Sequence, residues 1–101
     1  MTSFGRRSIK HLGTLHGHGR LSIGDGEQCL GSVTYEIDGY LDRATRSTSG
    51  QIEGDVAALE RAYQAGAAAI TPAEGPPVNI VLSNPQGGTM AEVRVSGFFP
   101  L

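Results

Sequence analysis

The chain has 101 residues, 39% hydrophobic and 18% charged, with 8 basic against 10 acidic side chains and a formal net charge of −2. That length fits one domain, and the apolar share excludes disorder of the whole chain. There is no cationic excess to neutralise a phosphate backbone and no apolar run near the ~20 residues that cross a bilayer, so neither nucleic acid nor membrane is an expected partner.

In chain order, residues 1–12, "MTSFGRRSIKHL", lack periodicity and read as a loosely ordered N-terminal segment before a single domain over 13–101. From Thr14 to Ile23 the residues alternate. Leu15, Gly17, Gly19, Leu21 and Ile23 share one face, and Thr14, His16, His18, Arg20 and Ser22 share the other, the mark of a half-buried strand. "GDG" at 24–26 then turns the chain, with Gly26 suited to a positive φ. A second alternating run points Val33, Tyr35 and Ile37 inward, which makes a hairpin.

"DRATRSTSG" reads as a polar loop and "GQIEGD" as a short third strand. Asp55 is placed to cap a helix over 56–65, with Val56, Leu59, Ala62 and Tyr63 on its apolar stripe and Gly66 at its C-terminal end. "AAAIT" reads as a short strand ended by "PAEGPP". "VNIVLS" and "TMAEVRVSGFF" then alternate around "NPQGG", giving a second hairpin with Val78, Ile80, Leu82, Ala91, Val93 and Val95 inward. The expected fold is mainly β (α+β): a small six-stranded antiparallel barrel or strongly curled sheet, in the order β-β-β-α-β-β-β, with one short helix.

His16 and His18 stand two apart on one strand face, and the hairpin register brings them near Thr34, Glu36 or Asp38. Imidazoles with a carboxylate are the start of a metal site, with His16, His18 and Glu36 as candidates. The alternative is a solvated polar face, since the spacing is not a strong zinc pattern. By parity Cys29 falls on the inward face as a small hydrophobe. With one cysteine no intramolecular disulfide forms. No secretory leader is visible, and the expected setting is cytoplasmic.

Arg43 and Arg46 flank a stretch rich in hydroxyl groups. With Ser47, Ser49 and Arg7 they offer guanidinium and hydroxyl donors for a small anionic ligand. "RRSIK" at 6–10 and "TRSTSG" at 45–50, on a six-stranded barrel, resemble the PilZ family of cyclic-di-GMP receptors, which joins an RxxxR motif to a (D/N)xSxxG turn. Lys10 stands where the second family arginine would, and Thr45 replaces the acid or amide. The resemblance implies nucleotide binding through these two segments.

No serine sits in a G-x-S-x-G elbow, and Cys29 has no evident histidine partner, so the sequence leans away from an enzyme. No cofactor is expected. At the C-terminus Met90, Phe98 and Phe99 offer bulky apolar groups for an interface. The preferred reading is a non-enzymatic binding or interaction module that self-associates as a homodimer. Receptor for a small anionic ligand, such as a nucleotide, is the first alternative. A metal-dependent protein using His16 and His18 is the second.

Overall fold

Two strands of fifteen residues each, β1 (Ile9–Ile23) and β2 (Gln28–Asp42), open the fold. The computed structural model describes residues 9–24, 27–97 and 99, so Arg7, Gly26 and Phe98 lie outside the described residues. β3 (Thr45–Glu53), α1 (Val56–Ala65), β4 (Ala68–Pro72), β5 (Val78–Leu82) and β6 (Met90–Val95) follow. The strands close into an antiparallel barrel in the order β1-β2-β3-β6-β5-β4. The described residues are therefore mainly β, with one short helix.

Alternation explains closure. Leu21, Val33, Ile37, Ile52, Ile70, Val78, Ile80, Leu82, Ala91 and Val93 are all buried. The register places them as cross-strand neighbours on one face, for example Leu21 with Ile70, Ile52 with Ala91, and Leu82 with Val93. Burying a side chain such as Ile80, which has no exposed surface, contributes about 1.5–3 kcal/mol. Gly19 sits where β1 meets β4. A Cβ there would come within 2.8 Å of both Ile70 Cγ2 and the Thr71 carbonyl oxygen, so the absence of a side chain lets the two backbones approach.

The helix plugs one end of the barrel, touching β1, β2, β4, β5 and β6. Asp55 accepts a hydrogen bond from the Ala58 backbone N–H at 3.2 Å, and Gly66 adopts a positive φ of 85° as it donates to the Tyr63 carbonyl. Ala58, Leu59 and Ala62 form the buried stripe, whereas Val56 and Tyr63 remain exposed at 39% and 37%. The expected stripe is thus corrected by part of a turn: small alanines face the barrel mouth and the larger residues flank it. No helix among the described residues is long and apolar enough to cross a membrane.

The second hairpin turns on Pro85–Gly88. Gly88 donates to the Pro85 carbonyl, and Gln86 and Gly87 carry φ values of 54° and 75°. Positive φ at both central residues matches the twist of the flanking strands. Asn84 accepts from the Gln86 N–H at 2.8 Å.

Three expectations need correction. The segment 45–50 is not a loop but the first two-thirds of β3, paired with β2 from Thr45 to Asp42 onward. Cys29 is exposed, because the register shifts between Leu21 and Ser22: Leu21 faces Gly31 while Ser22 faces Cys29. That bulge leaves Leu30 as the extra residue and reverses the parity beyond it. Strand β1 also starts at Ile9, through a second shift between His11 and Gly13.

β1, β2 and β3 outrun the barrel. β4 pairs with β1 only over Gly19–Ser22, and β6 with β3 only over Gly50–Glu53. The remainder, 9–18 with 34–42 and 45–49, forms a three-stranded arm. The arm accounts for extents of 51 × 29 × 20 Å and a radius of gyration of 14.7 Å, against about 13 Å for a round domain of this length.

Candidate functional site

Along the arm, the strand register fixes which side chains meet. His16 lies opposite Glu36, His18 opposite Thr34, Thr14 opposite Asp38, and His11 opposite Tyr40. On the far side of β2, Asp38 faces Ser49, Glu36 faces Gln51 and Thr34 faces Glu53. The outer face of the arm is therefore a polar strip with three imidazoles on one strand and carboxylates on the next. His16 and His18 do share a face.

His11 joins this strip because of the bulge near Leu12. Sequence periodicity hid it, since the extra residue breaks the alternation that would have placed it. Its Nε2 lies 3.0 Å from Asp38 Oδ1, and its ring packs 5.4 Å from that of Tyr40, tilted by 47°. The Thr14 hydroxyl donates to the same Asp38 oxygen. Together these donors, Thr14 foremost and then His11, hold the Asp38 carboxyl below its ordinary value of 3.8.

The arrangement is a clasp rather than a nucleophile relay. In a relay the acid orients an imidazole whose other nitrogen takes the hydroxyl proton. Here the hydroxyl and Nε2 both turn to one carboxylate oxygen. The clasp ties β1 to β2 across the bulge.

His18 lines an open cleft of about 420 Å³ with Arg20, Ser32 and Thr71, at the seam where β1 leaves β4. Glu36 lines a different hollow with Tyr35, Gln51 and Met90. Among the described residues no group of three or more His, Cys, Asp or Glu side chains is placed to hold a metal ion.

The anion candidates are dispersed. Arg43 sits at the tip of the β2–β3 turn with φ 60°. Ser47 and Ser49 pair with Tyr40 and Asp38 on the outer face, while Arg46 pairs with Leu41 and alternates to the other. "TRSTSG" stands in a strand, where the PilZ motif is a turn. A residue the sequence did not flag, Arg94 on β6, joins Arg46 on the walls of an open cleft of about 520 Å³. That cleft marks the other seam, where β3 leaves β6. Cross-sheet neighbours of this kind carry no short-range sequence signal.

Of the interface candidates, Met90 is 46% exposed, whereas Phe99 is buried at 6%. Phe99 therefore offers little surface, because it covers Gly39 on the inner side of the arm. Comparison with protein-family models, with curated proteins and with solved structures yields no match for this chain.

Proposed function

We propose that this chain is a small, non-enzymatic interaction module that self-associates edge to edge through the arm, two copies of β1 pairing about a two-fold axis. The observation that carries the reading is the ten-residue stretch Ile9–His18 of β1. Among the described residues it pairs with β2 on one side and with nothing on the other. An open edge presents a row of backbone donors and acceptors that favours another strand, and an identical edge supplies the matching spacing. Closed two-fold pairing is the commonest route to an oligomer.

The corresponding edge of β3 is less available. There the Val95 N–H donates to the Thr48 hydroxyl at 2.8 Å, and the chain runs on to Phe99 beside it. The open stretch of β1 carries one lysine, Lys10, and one bulge, at Leu12, but no proline.

Light scattering on the purified chain tests the reading. The double substitution His16→Lys and His18→Lys places charges on the open edge and is expected to convert a dimer to a monomer that still unfolds cooperatively, with a Tm that no longer rises with protein concentration. Met90→Lys is expected to leave the dimer intact. A wild-type monomer at high concentration, or a dimer broken by Met90→Lys alone, would overturn it.

A further inference from the structure

Where β4 leaves β1, the register sets four hydrogen-bond donors on one face of three neighbouring strands. Arg20 on β1 lies directly between Ser32 on β2 and Thr71 on β4. Directly opposed side chains stand about 5 Å apart at Cβ, so a hydroxyl flanks the arginine on either side. His18, two residues back along β1, shares that face about 6.6 Å away. Gly19 between them has its absent Cβ against the buried Ile70, which sets Arg20 and His18 on the outward side. All four donors line the open cleft of about 420 Å³, together with Pro72 and Ala73.

Among the described residues none of these four side chains makes a hydrogen bond or ion pair. No acidic side chain lines the cleft. Glu36 and Glu53, on the same face of β2 and β3, stand opposite His16 and Thr34, and neither is paired with Arg20 or His18. The cleft gathers donors and offers them no carboxylate.

We propose that this cleft binds a phosphate group. A carboxylate has two oxygens, and one guanidinium fork satisfies both. The two hydroxyls and the imidazole would then be left without an acceptor. A phosphate presents at least three acceptor oxygens, and donors on three strands reach it from different sides: Ser32 from β2, Thr71 from β4, Arg20 between them and His18 from along β1. Pro72 and Ala73 give an ester group apolar contact. The volume lies within the range of small-molecule sites, about 300–1,000 Å³. Arg20, Ser32 and Thr71 stand on strands that the barrel itself pairs, so the site does not depend on a second copy of the chain.

Inorganic phosphate and phenyl phosphate, each titrated into the ¹⁵N-labelled full chain at constant ionic strength and followed by NMR, test the assignment. Acetate and benzoate are the carboxylate counterparts. Saturable shifts are expected at the Gly19, Arg20, Ser32 and Thr71 amides and at the Arg20 Nε–H signal. Each phosphate is expected to bind at least tenfold more tightly than its carboxylate. Tighter binding of phenyl phosphate than of inorganic phosphate would assign the site to monoesters, and equal or weaker binding to the free anion; both support the assignment.

Arg20→Ala should weaken both phosphates at least tenfold. Arg20→Lys, which keeps the charge, should weaken them at least threefold because an ammonium lacks the fork. Ser32→Ala combined with Thr71→Val, which leaves Arg20 in place, should also cost at least threefold. Arg43→Gly removes the same charge from a turn outside the cleft and should change affinity less than twofold. Shifts that never saturate, shifts centred elsewhere, equal affinity for the carboxylates, or an equal loss in Arg43→Gly would each overturn the proposal.

Discussion

The ring of Phe99 occupies the space that a Cβ on Gly39 would need. One residue is on β2 in the arm and the other lies beyond β6, so this contact joins the chain after β6 to the inner face of the arm at Gly39. Gly39 has an ordinary φ, and the three atoms nearest its absent Cβ all belong to Phe99. Gly39→Ala is therefore expected to cost about 1–3 kcal/mol by overpacking, and Phe99→Ala about 3 kcal/mol. In the Phe99→Ala background the sign should reverse. There Gly39→Ala becomes neutral or stabilising by about 0.5–1 kcal/mol, because glycine in a strand carries an entropic cost. A double-mutant cycle from urea melts measures the coupling.

Asp38 gives the fold a pH dependence of known sign. Its folded-state value is depressed by the Thr14 and His11 donors, so the ionised form is favoured in the native state. The contribution is fully present above the ordinary value of 3.8 and is lost as pH falls through the depressed one. Asp38→Asn is expected to be less stable than wild type at pH 7, with the gap closing as both are acidified below about pH 4. Thermal melts across that range check it. A gap that stays constant with pH would show that the carboxylate charge is not what matters.

Asp55 caps the only described helix, accepting from the Ala58 N–H. Asp55→Ala leaves that donor unsatisfied and is expected to cost about 1 kcal/mol. Asp55→Asn should recover most of it. Chemical denaturation followed by circular dichroism reads both.

Arg43 holds φ at 60° in the two-residue turn between β2 and β3. An L-residue other than glycine in that conformation costs about 1–2 kcal/mol. Arg43→Gly is expected to be neutral or stabilising in a thermal melt, because removing the strain offsets the extra freedom of the unfolded chain.

What the sequence disclosed and what it hid divide along the barrel's boundary. Inside the barrel every strand buries one face, so Val78, Ile80, Leu82, Ala91 and Val93 announce themselves by alternation. Asp55 and Gly66 mark the helix ends through cap chemistry. In the arm the constraint weakens. Thr45–Ser49 is polar on both faces because it lies past the core, and it reads as loop although Thr45 and Thr48 are good strand formers.

The two bulges did the rest. One moved Cys29 to the surface, and the other brought His11 to Asp38. Each adds a single residue that periodicity has no means of locating. That β3 neighbours β6, so that Arg46 and Arg94 line one cleft, depends on strand order, which local pattern does not encode.

An uncovered strand on the arm, we propose, draws a second copy of the chain. Hydrogen–deuterium exchange at low and at high protein concentration tests it most directly. Amides of Ile9–His18 should gain protection as concentration rises, while those of β5 and β6 exchange at the same rate throughout. Protection over Ile9–His18 that ignores concentration, or a concentration-dependent gain around Met90 instead, would contradict it.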